Sequence, residues 1–173
     1  AMENSKQVLG DKIKLAEKLS ALSIPMVETA RVSHGDWQDL EAALIRHPKL
    51  FCKLRSGNQG ESAFAVWHSE QGLQGLAHDG KNLPNETAVR QAWQLLTGKG
   101  EVLLQALLIN HPLLAAASPA DVAVTLRLVT RQTPEGPCAW WAELQVAGED
   151  TSNGARGFWR FPVSVHDGRL SCL

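Results

Sequence analysis

The sequence predicts an α+β protein, and three observations carry that prediction. Residues 11–98 interleave apolar stripes of helical period with short strand-like runs. Residues 101–108, 122–131, 138–146 and 158–166 are longer β-branched or alternating runs. Turn-forming clusters at 133–137 and at Asp167-Gly168 punctuate that second series. Helices gathered toward one end and strands toward the other give an α+β architecture rather than a regularly alternating one. The expected form is a small mixed helix and strand lobe followed by a larger, mainly antiparallel sheet lobe.

Residues 11–23 read as a helix because Ile13, Ala16, Leu19 and Leu22 share one face, and Ile24-Pro25 ends it. Residues 26–32 are strand-like. Residues 36–47 make a second amphipathic helix, with Asp36 near its N-cap, Trp37, Leu40, Leu44 and Ile45 as its stripe, and Pro48 as its stop. Residues 49–54 and 63–68 are strands around a polar loop, and 73–77 is a candidate third. Asn85 opens a helix with Ala88, Val89, Ala92, Trp93 and Leu96 on its apolar face, and Gly98 stands where a C-terminal stop belongs.

With 173 residues the chain can bury one sizeable core or two small lobes sharing a hinge. A hydrophobic content of 44%, 20% charged residues and a formal net charge of -1 give no electrostatic case for nucleic acid or an anionic membrane surface. The most apolar stretch, 102–117, is broken by Asn110-His111-Pro112 and is too short to span a bilayer. Cys52, Cys138 and Cys172 are odd in number and lack metal-ligand spacing, which suits reduced thiols in a cytoplasmic protein with no protein-bound metal. No secretory signal is recognisable at the start, in keeping with that expectation. The six histidines form no i, i+4 ligand pair and no recognisable Ser/His/Asp arrangement, so nucleophilic catalysis has little support, and His111 beside Pro112 reads first as a turn residue. The six tryptophans read mostly as core and lobe contacts.

Four features carry candidate chemistry. Residues 51–55, Phe-Cys-Lys-Leu-Arg, deliver Lys53 into a polar loop, 56–62, that contains Gly57 and Gly60 between two strands. A lysine beside accessible backbone N–H groups can hold polyphosphate, although a plain hairpin with a polar tip accounts for the same residues. No strand-to-helix glycine motif of the Walker or Rossmann type is present. Gly10-Asp11-Lys12 sets a cation at a helix start, where simple capping by Asp11 is the plainer account. The strand ending in Gln105, Ala106 and Leu107 offers a flat apolar slot with backbone donors and acceptors for a base, or else a core strand with Gln105 facing solvent. In 125–130, alternation places Arg127 with Thr125 and Val129 on one face, either inward toward an anion or outward to solvent.

In their order along the chain, Gly10-Asp11-Lys12, Leu22-Ser23-Ile24-Pro25, the Lys53 strand with its glycine loop and Val102-Leu103-Leu104-Gln105 resemble the ATP-grasp fold. Asn110-His111-Pro112-Leu113-Leu114, the run 125–130, the stretch 150–153 and Pro162-Val163 with Asp167-Gly168 resemble the subgroup associated with sugar transfer and polysaccharide loci. The resemblance implies a leading helix over 1–24, a lid subdomain over 25–104 and the first part of a catalytic sheet subdomain over 105–173. It implies that Lys12 and Lys53 hold ATP phosphates, that Gly57, Gln59, Gly60 and Ser62 cover them, and that backbone at Gln105, Ala106 and Leu107 receives adenine. Arg127 would then neutralise phosphate or acyl-phosphate charge in catalysis. Family enzymes use ATP and Mg2+ to activate a carboxylate as an acyl phosphate, which passes to an amine or thiol. The closing Glu-x-Asn metal motif of that family is missing, and Asp150 and Asp167 are poor substitutes, so no metal ligand is assigned. The implied protein is the ATP-binding part of a carboxylate-amine or carboxylate-thiol ligase for polysaccharide or cell-envelope biosynthesis, cut before its metal site and inactive alone. The alternatives are a non-catalytic nucleotide-binding or interaction module, or an unrelated α+β domain. Its partners would be ATP and an unidentified carboxylate, and an open sheet edge leaves a homo-oligomer in view.

Overall fold

A computed structural model describes residues 10–56, 63–118, 123–148 and 158–170. The chain divides into two compact units, the first ending at Leu108 and the second starting at Ile109. The sequence-based division falls four residues earlier, after 104.

The first unit runs α1 (Lys12–Ala21), β1 (Thr29–Ser33), α2 (Trp37–Arg46), β2 (Lys49–Leu54), β3 (Phe64–Ser69), β4 (Gly72–Ala77), β5 (Asn82–Leu83), α3 (Glu86–Thr97) and β6 (Val102–Ala106). Each helix begins at a capping side chain that takes up donors the first turn leaves unused. Asp11 accepts from the amides of Ile13 and Lys14, Asp36 from Gln38 and Asn85 from Ala88. At the end of α3, Gly98 keeps a right-handed conformation at φ -62°, and the positive φ falls two residues later, at Gly100.

The strands form one antiparallel sheet in the order β1-β6-β2-β3-β4-β5. The chain makes β2 to β5 as successive neighbours, then crosses through α3 and inserts β6 between β1 and β2. That position explains a sequence feature: Val102, Leu103 and Leu104 are all buried, as a strand covered on both faces requires. α2 and α3 pack on one face through Leu40, Ala43, Leu44, Val89, Trp93 and Leu96. They meet Leu50 and Cys52 of β2, Phe64 and Val66 of β3, and Val102 and Leu104 of β6. Fully burying each leucine in this layer contributes about 1.5–3 kcal/mol. Trp37 stands edge-on to Trp93 at 6.5 Å between ring centroids, and Arg90 lies 4.0 Å over the Trp37 ring, tying the two helices together. A side chain at Gly75 of β4 would put its Cβ 2.5 Å from the Ala65 carbonyl oxygen of β3, so this position accepts only glycine without a backbone shift.

The second unit contains α4 (Pro112–Ala117), β7 (Thr125–Thr133), β8 (Gly136–Ala147) and β9 (Phe158–Val163), with the strands antiparallel in the order β7-β8-β9. The expectation of a larger sheet in the second lobe is therefore reversed, because β6 belongs to the centre of the first sheet. α4 lies where only a turn was expected, with Pro112 at its start and His111 as its N-cap. Trp93 is buried and Trp37 packs on the core, in line with the expectation that the tryptophans serve mostly as core and lobe contacts, whereas Trp140, Trp141 and Trp159 are 61%, 40% and 54% exposed. What stands is the coarser reading, a mixed α+β protein with antiparallel sheets. Among the described residues no helix is long and apolar enough to cross a membrane.

Candidate functional site

Strand alternation fixes where Lys53 goes. Cys52 faces the helix-covered core, so Lys53 and Arg55 emerge together on the opposite face of the first sheet. Lys53 lies 5.8 Å from the centroid of the Phe51 ring, its neighbour on that face. The start of α1 comes to the same place. An isolated bridge pairs Asp11 with Ser56, the Lys12 amide donates to the Arg55 carbonyl at 3.2 Å, and Lys12 Nζ donates to that oxygen at 3.3 Å.

Lys12 and Lys53, 41 positions apart, are thereby close enough to repel each other. Burial, followed by the charge of Lys12, pushes the Lys53 ammonium below its ordinary value. Burial also lowers Lys12, and the carboxylate of Asp11 counters part of that effect. Two partly desolvated cations, one at the start of α1 and one on the sheet, suit a ligand with adjacent negative charges.

Arg55 organises the surroundings. Its Nε donates to both oxygens of Asp11 at 3.0 and 3.1 Å, Nη2 donates to Asp11 Oδ2 at 2.6 Å, and Nη1 donates to Glu101 Oε2 at 2.9 Å. The guanidinium contact holds the Asp11 carboxyl down at about 2, and the two carboxylates raise Arg55 further above its usual range. His34 Nε2 approaches Glu101 at 3.3 Å from the other side. Beside this group lies a cavity of about 400 Å³ lined by Asp11, Leu54, Arg55, Ser56, Lys99, Gly100 and Glu101. Neither Lys12 nor Lys53 lines it, and three of its four charged residues, Asp11, Arg55 and Glu101, are already bonded to one another, so the lysine pair is the stronger anion site.

The remaining expected residues are not gathered there. Gln105 is buried rather than facing solvent, and its Nε2 donates to Thr29 Oγ1 at 2.9 Å across the β1 and β6 pair. The amides of Ala106 and Leu107 donate to the carbonyls of Glu28 and Lys49, at 3.2 and 3.1 Å. The adenine contact expected of this backbone therefore lacks those two donors, because β6 is flanked on both sides. Arg127, in the second unit, is exposed and stands opposite Glu143 in the β7 and β8 register. Glu143 is itself buried and accepts from Gln145 Nε2, with Arg160 Nε 4.0 Å away. Gly57, Gln59, Gly60 and Ser62 lie outside the described residues, as do 150–153. His111 accepts from the Leu113 amide through Nδ1, a capping role. Among the described residues no three His, Cys, Asp or Glu side chains converge as metal ligands.

Sequence reasoning missed Arg55, Glu101 and Lys99. The alternation that put Lys53 on the sheet face also put Arg55 there, and that was the available signal. The partnership with Glu101 depends on strand order and leaves no local trace. Compared with known proteins, the chain matches no family model and no curated protein.

Proposed function

We propose that this chain is the ATP-binding part of an ATP-grasp type ligase that activates a carboxylate. The docking of Lys12, through its amide and its Nζ, on the carbonyl of Arg55, two residues along the chain from Lys53, carries this reading. Bringing two cations together costs stability unless an anion offsets it, and a polyphosphate does so with charge-assisted bonds. The lysines come from a helix start and from a strand that leads toward Gly57 and Gly60, an order that resembles ATP-grasp proteins.

In the proposed reaction a carboxylate oxygen attacks the γ-phosphorus, the bond to the bridging oxygen breaks, and ADP leaves. An amine or thiol then attacks the acyl carbonyl and displaces phosphate. Lys12 and Lys53 would hold the polyphosphate oxygens and stabilise charge that shifts toward ADP. Magnesium would supply further neutralisation between phosphates, and none of the described residues is assigned to hold it. Arg127 retains a proposed role toward acyl phosphate in its own unit, and a sugar-linked or cell-envelope carboxylate is the proposed substrate class.

Calorimetric titration with ATP, with and without magnesium and with GTP as control, tests the reading. Saturable binding of ATP in preference to GTP, lost in Lys53→Met, is expected. Absence of ATP binding to the wild-type chain under both conditions overturns it.

A further inference from the structure

The lysine pair poses a physical question that the nucleotide reading leaves open, namely what holds two like charges together before a ligand arrives. α1 has no fully buried residue, and Lys12, Ile13, Leu15, Ala16 and Leu19 are only partly covered, so packing alone is a weak hold on Lys12. The described contacts near its start converge on Arg55 instead. The Arg55 carbonyl takes both the amide and the Nζ of Lys12, and its guanidinium clamps Asp11, the residue before Lys12 and the N-cap of α1. The third arm of the fork reaches Glu101, the residue before β6, and the Arg55 amide donates to the Glu101 carbonyl at 2.8 Å. Helix start, grip strand and central strand are thus joined by one side chain whose Nε, Nη1 and Nη2 are all engaged by carboxylates.

We infer that Arg55 is a positioning residue: by gripping Asp11 and Glu101 together it sets Lys12 beside Lys53 and preassembles the polyphosphate site. The inference rests on the nucleotide reading for its purpose, but its geometry belongs to the ligand-free protein. A planar fork is required, because two carboxylates on different elements need directed donors at fixed angles, and lysine supplies only a point charge.

The test follows Lys53 itself, in the full chain without ligand. Lysines are carbon-13 methylated, the Lys53 resonance is assigned by its disappearance in Lys53→Met, and its titration is followed by NMR. If Arg55 positions Lys12, then Arg55→Gln, Arg55→Lys and Asp11→Ser each let Lys12 drift away, and the Lys53 titration moves upward. Serine keeps the N-cap, so Asp11→Ser removes the clamp without removing the helix start and stands in should Arg55→Gln fail to fold. The Asp11 variant also fixes the sign, because mere loss of a nearby negative charge would move Lys53 downward. In a Lys12→Gln background, the Arg55→Gln shift shrinks to the part that loss of the Arg55 charge produces by itself. A Lys53 titration that is unmoved or lowered in Asp11→Ser overturns the inference, as does wild-type behaviour in Arg55→Lys or an undiminished Arg55→Gln shift in the Lys12→Gln background. ATP affinity should fall about fivefold or more in Arg55→Gln, the lower range of coupling between distinct groups. Failure of wild-type ATP binding alone would overturn the nucleotide reading and leave the ligand-free titrations to decide on Arg55.

Discussion

Replacing Lys53 with methionine separates what the residue does for the ligand from what it does to the fold. The ammonium titrates below its ordinary 10.5, first through burial and then through Lys12. A basic group lowered in the folded state makes the fold less stable wherever it is charged, and the deficit disappears only as pH rises toward the unfolded value. Below the lowered value the deficit is present, so Lys53→Met, which keeps the apolar stem against Phe51, should raise the urea midpoint of the protein without nucleotide. The same change removes a charge-assisted contact to phosphate, worth about 1.5–3 kcal/mol, which weakens ATP about tenfold to 150-fold. Urea unfolding followed by circular dichroism reads the first effect, and calorimetry reads the second. Lys99→Ala, which removes a cation from the neighbouring cavity, controls for general charge loss and should weaken ATP less. A variant that is both less stable and unchanged in affinity would show Lys53 to be a structural residue, and equal losses in the Lys53 and Lys99 variants would remove the assignment.

Proton linkage gives a second prediction. Phosphate oxygens beside Lys12 and Lys53 raise both groups back toward 10.5, so ATP binding in mildly alkaline buffer takes up protons. Calorimetry in buffers of different ionisation enthalpy measures that uptake, and it should shrink toward zero as pH falls. In acid the sign reverses for Asp11, whose carboxyl is lowered from 3.8 to about 2. Its contribution to stability is complete above about 3.8 and is lost as pH falls through about 2, a dependence that Asp11→Ser should abolish in acid unfolding curves. Gly75→Ala should destabilise the first unit by about 1–3 kcal/mol, the usual range for overpacking, because the new Cβ meets the Ala65 carbonyl; an unchanged urea midpoint would refute the close approach.

The sequence made local structure legible where one residue decides it. Asp36 and Asn85 announced two helix starts, and the apolar strand-like run 49–54 gave β2 its observed bounds. It also joined Lys12 to Lys53 in one expected site, through order along the chain rather than any visible contact. Strand order was not legible. β6 read as the opening of a second sheet because its insertion between β1 and β2 is set by pairing between residues 48–56 positions apart on one side and 69–76 on the other. The same blindness hid the Arg55 contacts with Asp11 and Glu101, 44 and 46 positions away, and the Ala106 and Leu107 donors already committed to neighbouring strands. α4 was missed because Pro112 reads equally as a breaker and as a first helical residue.

α1 is tied by Arg55 at its Asp11 end, is only partly covered at Ile13, Leu15, Ala16 and Leu19, and leaves Leu22 exposed at the other, the arrangement of a beam fixed at its root. Motion should grow along its length, so amide exchange should be slowest near Lys14 and fastest toward Ala21, with no boundary between rigid and mobile parts. A ligand that engages Lys12 stiffens the root of the beam and is felt most at its tip. A fluorophore at Leu22, remote from any phosphate, would therefore report occupancy of the site through its anisotropy.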